Sequence, residues 1–370
     1  MPLLTPLAAG LPASVPFVGP ETQERAREAV FKARLGANES VFGPSPFAAK
    51  AMAKAASEAW MYGDPESFDL KSALAQHHGL SFEQIMVGEG IDGLLGYVVR
   101  LFVGQGDAVV TSDGAYPTFN YHVAGFGGAL HKVPYKDDAE DLDGLLAKAH
   151  DIKAKVIYLA NPDNPMGSWH EAAAIERFVA DLPESTLLVL DEAYIDTAPA
   201  EAVPQIDPNN GQVLRMRTFS KAYGLAGARV GYALGAGEVI TAFHKVRNHF
   251  GMSRVSQAGA LAALQDQDYL AQVVARIAEA RDEIARIGAD HGLKALASAT
   301  NFVTLDCGQD GDYARALLAE LIVEGIFVRM PFVAPQDRCI RVSCGLPEDL
   351  AAFEAALPKA LSRVTNALTV

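Results

Sequence analysis

Two runs in the middle of the chain, AKVIYLANP (154–162) and STLLVLDEAY (185–194), are apolar at almost every position. Strands with one face in water alternate apolar and polar residues, whereas strands of a parallel sheet covered by helices on both faces do not. Predicted helices separate most of these runs from four further predicted strands, QIMVG (84–88), DAVVTS (107–112), VLRMRTFS (213–220) and RVGYALG (229–235). This alternation of strands and helices predicts an α/β fold built on a mostly parallel sheet.

The pattern changes near residue 265. A long amphipathic helix is predicted there, followed by a mixture of strands and helices over 269–292 (helix), 301–307 (strand), 313–325 (helix), 326–330 and 339–345 (strands) and 348–364 (helix). We therefore predict two domains: a large α/β domain over 46–264, and a small α+β domain that combines residues 1–45 with 265–370.

The N-terminal segment predicts an extended arm. Residues 1–20 contain five prolines and no charged side chain, a composition that fits an extended arm better than a signal peptide or a membrane helix. Helical spacing follows over 22–35 and 45–60. We expect the arm to pack against the C-terminal segment.

Charge and cysteine usage exclude several classes of function. The net charge of the 370-residue chain is −14. Binding to nucleic acid or to an anionic membrane needs a basic surface, so this charge argues against both. The three cysteines are Cys307, Cys339 and Cys344, and no CxxC spacing occurs among them. This usage predicts reduced thiols in a cytoplasmic protein. The histidines lack the helical spacing of metal ligands, so we expect no metal site.

A glycine motif, GEGIDG (88–93), follows the first predicted strand and begins a predicted helix. It matches G-x-G-x-x-G, and Asp113 lies 20 residues beyond Gly93, as in nicotinamide-dinucleotide sites. The physical basis of the motif is more general, because backbone N–H groups at a helix N-terminus bind any phosphate. The motif alone leaves three alternatives open: a dinucleotide, another phosphate, or a turn without a ligand.

Three further groups of polar residues each follow a predicted strand. They are Asn164 in ANPDNPMG (160–167), Asp191 with Tyr194 in STLLVLDEAY, and Ser220, Lys221 and Arg229 in TFSKAYGLAGARVGY (218–232). Each has a simple structural explanation, such as a turn or a helix cap. Together with the phosphate-type motif they match pyridoxal phosphate, which needs a lysine, an acid at its pyridine nitrogen, a donor to its ring oxygen and an anion site.

These motifs carry a family resemblance. From NESVFGPSP (38–46) to IRVSCG (340–345), the chain resembles the class I/II, fold type I pyridoxal-phosphate aminotransferases, and within them the histidinol-phosphate aminotransferases most. The resemblance implies a homodimer that moves an amino group from a small-molecule amino donor to a 2-oxo acid such as 2-oxoglutarate.

The resemblance also implies roles around the cofactor ring. Lys221 would bond to the cofactor and later shuttle a proton, and Asp191 would keep the pyridine nitrogen protonated. Tyr194 and Asn164 would donate hydrogen bonds to the ring oxygen, and Tyr116 would stack on the ring face.

Phosphate and substrate ligands are implied in the same way. The cofactor phosphate would be held by Ser220, Arg229, the backbone N–H groups of Gly90, Ile91 and Asp92, and Tyr62 of the other subunit. Arg341 would bind the acidic group of the substrate, and the remaining substrate ligands would be Arg329 and Asn38.

The chain departs from the family pattern at several places. Glu89 enters the phosphate motif, Asp163 and Met166 enter NPDNPMG, and Ser40 and Val41 replace the proline expected in NESVFGPSP. Near the substrate, the stretch VRNHFGMSRVSQ (246–257) replaces a Pro-Tyr-Asn-Val-Asn type of sequence. Within it, an apolar wall beside a substrate ring could be formed by His249, Phe250 and Met252. Arg254 could add a charge.

These departures bear on the substrate rather than on the cofactor. Histidinol phosphate is the first expectation and an aromatic amino acid the alternative. A decarboxylase of a phosphorylated amino acid, an NAD-binding dehydrogenase, and a cofactor-binding regulator without turnover are less favoured. The regulator leaves the complete set of Lys221, Asp191 and Tyr194 unexplained, and the dehydrogenase leaves the lysine motif unexplained.

Overall fold

The computed structural model describes residues 3–13 and 18–368. The helices are α1 (Pro6–Gly10), α2 (Pro20–Arg27), α3 (Pro46–Ala56), α4 (Phe68–His78), α5 (Gly90–Phe102), α6 (Thr118–Gly125), α7 (Leu142–Ile152), α8 (Ala172–Ala180), α9 (Gly237–Ala242), α10 (Arg254–Gln265), α11 (Gln267–Asp290), α12 (Gly311–Glu324) and α13 (Pro347–Leu368). The strands are β1 (Ala33–Arg34), β2 (Ile85–Gly88), β3 (Ala108–Ser112), β4 (Ala129–Val133), β5 (Val156–Ala160), β6 (Leu187–Asp191), β7 (Val213–Thr218), β8 (Gly231–Leu234), β9 (Lys294–Ala295), β10 (Phe302–Asp306), β11 (Ile326–Phe327) and β12 (Cys339–Ser343).

Seven strands form the main sheet, in the order β2-β8-β7-β6-β5-β3-β4. The pairs β3–β4, β3–β5, β5–β6 and β6–β7 are parallel, and β8 runs antiparallel to both of its neighbours. Strands β5 and β6 are buried at every residue, as their continuous apolar runs predict. The expected α/β class with a mostly parallel sheet is confirmed.

The carboxyl ends of β2, β3, β5, β6 and β7 lie at one edge of this sheet, because these strands share a direction. The antiparallel strand β8 begins at that same edge. In open α/β sheets, ligands bind at the carboxyl edge. The segments that carry the predicted site residues therefore converge there.

A second packing unit involves the C-terminal part of the chain. Strands β12, β10 and β9 form an antiparallel sheet, and α11, α12 and α13 contribute to one apolar core with it. Residues Ala33 and Leu35 belong to this core, and β1 pairs with β11. The N-terminal segment thus contacts the C-terminal one, while the division into domains at residues 46 and 265 stays a prediction.

Two N-terminal predictions were wrong in part. The helix expected over 22–35 spans only Pro20–Arg27, because Glu28 adopts a left-handed conformation (φ 53°) and the Glu24 carboxylate accepts the N–H of Phe31 at 2.9 Å. Within the arm expected to be extended, Pro6–Gly10 is helical. Residues 1–2 and 14–17 of that arm lie outside the described residues.

Candidate active site

A cavity of about 790 Å³ opens at the carboxyl edge of the main sheet. Its lining includes most of the residues singled out in the sequence: Asn38, Ile91, Asp92, Tyr116, Asn164, Asp191, Tyr194, Ser220, Lys221, Arg229, Arg329 and Arg341. A cavity of this size accepts a cofactor together with a small substrate.

Lys221 lies just beyond β7, and its amine faces the cavity. The Lys221 Nζ donates to the backbone carbonyl of Asn38 at 3.2 Å and lies 5.3 Å from the centre of the Tyr194 ring. Asn301 Nδ2 donates to the same carbonyl at 3.0 Å. No carboxylate of the described residues forms an ion pair with Lys221, so a neutral backbone oxygen is its hydrogen-bond acceptor.

Asp191 ends β6 and is 4% exposed. The hydroxyl of Tyr158 donates to Oδ2 at 2.6 Å, and the N–H of Ala193 donates to Oδ1 at 2.9 Å. Burial raises the pKa of Asp191 to about 6, although these two donors oppose the shift. A cation placed beside this carboxylate would favour its ionised form.

A hydrogen-bonded network crosses the cavity from Tyr194 to the C-terminal strands. Asn38 Nδ2 donates to the Tyr194 hydroxyl at 3.1 Å, and Ser343 Oγ donates to Asn38 Oδ1 at 2.8 Å. Asn164 Oδ1 accepts a hydrogen bond from Arg341 Nη1. In this structure Asn164 therefore orients Arg341, the arginine expected to bind the acidic group of the substrate. The amide nitrogen of Asn164 is left to face the cavity.

The two candidate substrate arginines are direct neighbours. Arg329 and Arg341 pair through their backbones, with N–O distances of 3.1 Å and 2.6 Å, and directly opposed residues present their side chains on one face. Arg341 is half-buried, desolvation of its guanidinium lowers its pKa to about 10, and its Nη2 donates to Gly36 O at 3.2 Å. Arg329 is half-buried and donates to the carbonyl of Val18.

The opposite end of the cavity is formed by the first turn of α5. Gly90 has φ of +76°, and the Arg229 guanidinium occupies the space that a Cβ at this position would fill. Arg229 Nη1 donates to Ser220 Oγ at 3.3 Å, and its Nη2 lies 3.6 Å from Asp92 Oδ2. The Tyr116 hydroxyl donates to Asp92 Oδ1 at 3.2 Å. Amides at a helix N-terminus, a guanidinium and a hydroxyl are groups that bind anions.

Several predicted residues do not line this cavity. Tyr62 is 75% exposed, and its ring centre lies 4.6 Å from that of Phe250, which is 55% exposed. Met252 is buried in an apolar core, and His249 lies with them outside the cavity. Arg254 donates to the carbonyl of Tyr62 at 3.0 Å. The wall expected from residues 249–252 is therefore not part of the cavity of its own chain.

Sequence reasoning missed other residues of the site. Tyr158 lies inside β5, fully buried, with its ring stacked on Phe119 at 4.8 Å and its hydroxyl on Asp191. The signal available was a single hydroxyl-bearing ring in an otherwise aliphatic strand, two residues before the cavity-lining Ala160. His122 and Phe332 also line the cavity, and no motif marks them.

The family "Aminotransferase class I and II" matches residues 32–355, and the chain belongs to this family. Its relatives include histidinol-phosphate aminotransferase 2 of Pseudomonas fluorescens, 36% identical over 89% of each chain, and histidinol-phosphate aminotransferase 1 of Bacillus cereus, 34% identical over 85% of each. The structure of histidinol-phosphate aminotransferase from Sinorhizobium meliloti, in complex with pyridoxal-5'-phosphate, is 55% identical and covers 98% of both chains with a TM-score of 0.94.

An aspartate aminotransferase from Thermus thermophilus with maleate shares the fold at a TM-score of 0.80 and 21% identity. The family, the fold class and the aminotransferase activity expected from the sequence are thereby confirmed, and the expected cofactor agrees with these matches. The NAD-binding alternative loses its support, and Asp113 forms an ion pair with Lys132 at 2.9 Å.

Two further findings concern the described residues only. None of their helices has both the length and the apolar character needed to cross a membrane. Among the same residues, no group of three metal-ligating side chains comes together.

Proposed function

We propose that this chain is a pyridoxal-phosphate-dependent histidinol-phosphate aminotransferase that passes the amino group to a 2-oxo acid. The observation that carries the proposal is the arrangement of one cavity. It brings together a lysine amine, a buried carboxylate, the first turn of α5 with Arg229, and two paired arginines. The names of the relatives support the same substrate.

The residues present fit pyridoxal phosphate. The glycine at position 90 leaves room for the Arg229 guanidinium beside the free amides of α5, which suits a phosphate group. Ser220 and Arg229 would bind that phosphate with the amides, and Asp191 would accept a hydrogen bond from the protonated pyridine nitrogen. Tyr194 and Asn164 would donate to the ring oxygen, and Tyr116 would lie against the ring.

The cofactor supplies an electron sink that stabilises negative charge on the substrate carbon. Lys221 would move a proton to or from that carbon through its Nζ, whose acceptor in this structure is one neutral backbone carbonyl. Asp191 stays ionised when a protonated ring nitrogen faces it, since the cation offsets the effect of burial on its pKa. Tyr158 and Ala193 keep its two oxygens in place.

The arginine pair selects the substrate. Histidinol phosphate has no carboxylate, so its phosphate would be the group that meets the two guanidinium groups. A 2-oxo acid would present a carboxylate to Arg341, whose planar fork can bind either group with two hydrogen bonds. Asn164 presets the orientation of Arg341 before any substrate enters.

Assembly belongs to the same proposal. Tyr62 is exposed on the surface of its own chain, as expected of a side chain that completes the phosphate site of a second subunit. We propose a two-fold homodimer with two equivalent sites in the cytoplasm. Residues 46–264 would form its cofactor domain, with residues 1–45 and 265–370 as the small domain.

The test combines cofactor labelling with a substrate panel. Borohydride reduction of the purified protein should link the cofactor to Lys221, as found by peptide mapping, and Lys221→Ala should remove both the label and the turnover. Histidinol phosphate should exceed phenylalanine as amino donor to 2-oxoglutarate in kcat/KM. A label on another lysine would refute the cofactor assignment, and a preference for phenylalanine would replace the substrate by an aromatic amino acid.

A further inference from the structure

An acid at the start of α5 has no role in the cavity. Glu89 immediately precedes Gly90 and does not line the cavity. Its carboxylate faces Tyr97, which lies two turns further along the same helix, and the Tyr97 hydroxyl is 3.1 Å from Oε1 and 3.2 Å from Oε2. Tyr97 is 7% exposed, and Glu89 is half-buried.

The same hydroxyl binds a segment that is distant in the chain. The backbone N–H of Asn248 donates to the Tyr97 hydroxyl at 3.0 Å, while that hydroxyl donates to Glu89. The Glu89 carboxylate also fills the space where a Cβ of residue 251 would lie, so Gly251 lets the segment come close. Arg100 adds a hydrogen bond to the carbonyl of Val246 at 2.8 Å. Helix α5 thus contacts the segment 246–251 at three points.

This segment carries one half of an exposed aromatic pair, which consists of Tyr62 and Phe250. The other half is held from α10, because Arg254 donates to the carbonyl of Tyr62 at 3.0 Å and Gln257 donates to that of Asp64 at 2.9 Å. The position of the aromatic pair therefore depends on two anchors, α10 and the first turns of α5. The second anchor starts beside the amides that form the phosphate site.

We propose that Glu89 and Tyr97 are positioning residues that hold the aromatic pair in register with the phosphate end of a second subunit's cofactor site. The inference rests on the proposed homodimer. The Tyr97 hydroxyl acts as donor and acceptor at once, so its removal leaves both a carboxylate and a backbone amide without that partner. The segment 246–251 and the aromatic pair would then lose their fixed position.

The first experiment measures the anchor itself in the full-length protein. Tyr97→Phe should accelerate hydrogen exchange of the peptide that contains Asn248 by about tenfold, because that amide loses its acceptor. Tyr269→Phe is a matched control, since it removes a hydroxyl that donates to the carbonyl of Phe42 at 2.9 Å. The control should leave exchange at Asn248 unchanged. Unchanged exchange in Tyr97→Phe would overturn the proposal.

The second experiment measures function with pyridoxal phosphate as the probe. Tyr97→Phe and Glu89→Ala should raise the dissociation constant of the cofactor by about five- to tenfold, on the scale of one lost hydrogen bond, and change kcat at saturating cofactor by less than about twofold. Glu89→Gln keeps an acceptor for Tyr97 and should behave like wild type. Equal losses of cofactor affinity in Glu89→Gln and Glu89→Ala would contradict the positioning role of Glu89.

The third comparison separates positioning from general stability. If the anchor acts through Tyr62, the effects of Tyr97→Phe and Tyr62→Phe on cofactor affinity should not add in the double variant. Fully additive effects would overturn the positioning role of Glu89 and Tyr97 and would leave the proposed function untouched. A wild-type protein that binds no pyridoxal phosphate would instead overturn the proposed function, and that result is obtained before any variant is compared.

Discussion

Replacing the two cavity arginines one at a time tests how the protein recognises its substrate. Arg341 donates to two neutral oxygens, on Asn164 and Gly36, and desolvation lowers its pKa to about 10, so a bound anion would offset part of the cost of that desolvation. Truncating one member of a desolvated charge pair costs about 2–4 kcal/mol, or roughly 30- to 1,000-fold in kcat/KM. We expect that loss in Arg341→Ala for every substrate.

Arg329 should behave differently because it lies beside Arg341 and adds a second guanidinium group that a single carboxylate does not need. Arg329→Ala should cost about 2 kcal/mol, roughly 30-fold, for histidinol phosphate, whose dianionic phosphate can use both guanidinium groups. The same change should lower kcat/KM for phenylalanine by less than about threefold, since the single carboxylate of phenylalanine can bind Arg341. Burial also lowers the pKa of Arg329, so its desolvation is part of the cost that an anion offsets.

The assay is a pair of steady-state kcat/KM measurements, with histidinol phosphate and with phenylalanine, for wild type and both variants. Arg315→Ala is a suitable control, because Arg315 is exposed and pairs with Asp312 and Asp337 outside the cavity. This mode of recognition is refuted if Arg329→Ala lowers kcat/KM equally for both substrates. It is also refuted if the change alters kcat/KM for neither substrate while the wild type prefers phenylalanine.

Three further outcomes are expected. Asp191→Asn should bind the cofactor but lose at least about 100-fold in kcat, since a neutral amide cannot hold the ring nitrogen protonated; near-normal kcat would contradict this. Burial raises the pKa of Asp163 to about 6, so the folded cofactor-free protein loses stability as the pH rises from about 4 through about 6. Urea unfolding of Asp163→Asn should show a flatter decline with rising pH than wild type. Sedimentation should find a dimer at assay concentrations, and an active monomer would exclude a role for Tyr62 across subunits.

The sequence predicted the part of the site that follows from strand direction. Each motif comes directly after an apolar run, and the carboxyl ends of parallel strands share one edge, so Asn164, Asp191 and Lys221 could be expected together. That reasoning needs only local patterns and the direction of the chain. It does not depend on knowing which side chains touch.

Contacts between residues far apart in the chain could not be predicted in this way. The bond between Arg341 and Asn164 joins residues 177 positions apart, and the bond between Asn248 and Tyr97 joins residues 151 apart. Periodicity reports which face of an element is buried, but it does not identify the neighbour on that face. The same limit applies to residues 249–252, which were expected to form a wall beside the substrate and do not line the cavity of their own chain.

The reversed strand β8 explains how Lys221 and Arg229 come to face one cavity. In a purely parallel sheet, the strand after β7 would begin at the opposite edge, and a residue just before it would lie far from Lys221. Because β8 is antiparallel, its first residue, Gly231, pairs with Thr218 on one side and with Gly88 on the other. Three adjacent strand ends, about 4.8 Å apart, therefore present the lysine, Arg229 and the phosphate motif side by side.

Close packing at this row limits its composition. A Cβ at residue 231 would meet the backbone of Gly90 and Ile91, and a Cβ at residue 90 would meet the Arg229 guanidinium. Both positions need glycine for the helix amides and the guanidinium to converge on one anion. The two cations in the apolar segment 218–232 therefore lie at either end of the chain reversal that joins β7 to β8, which returns to the same sheet edge.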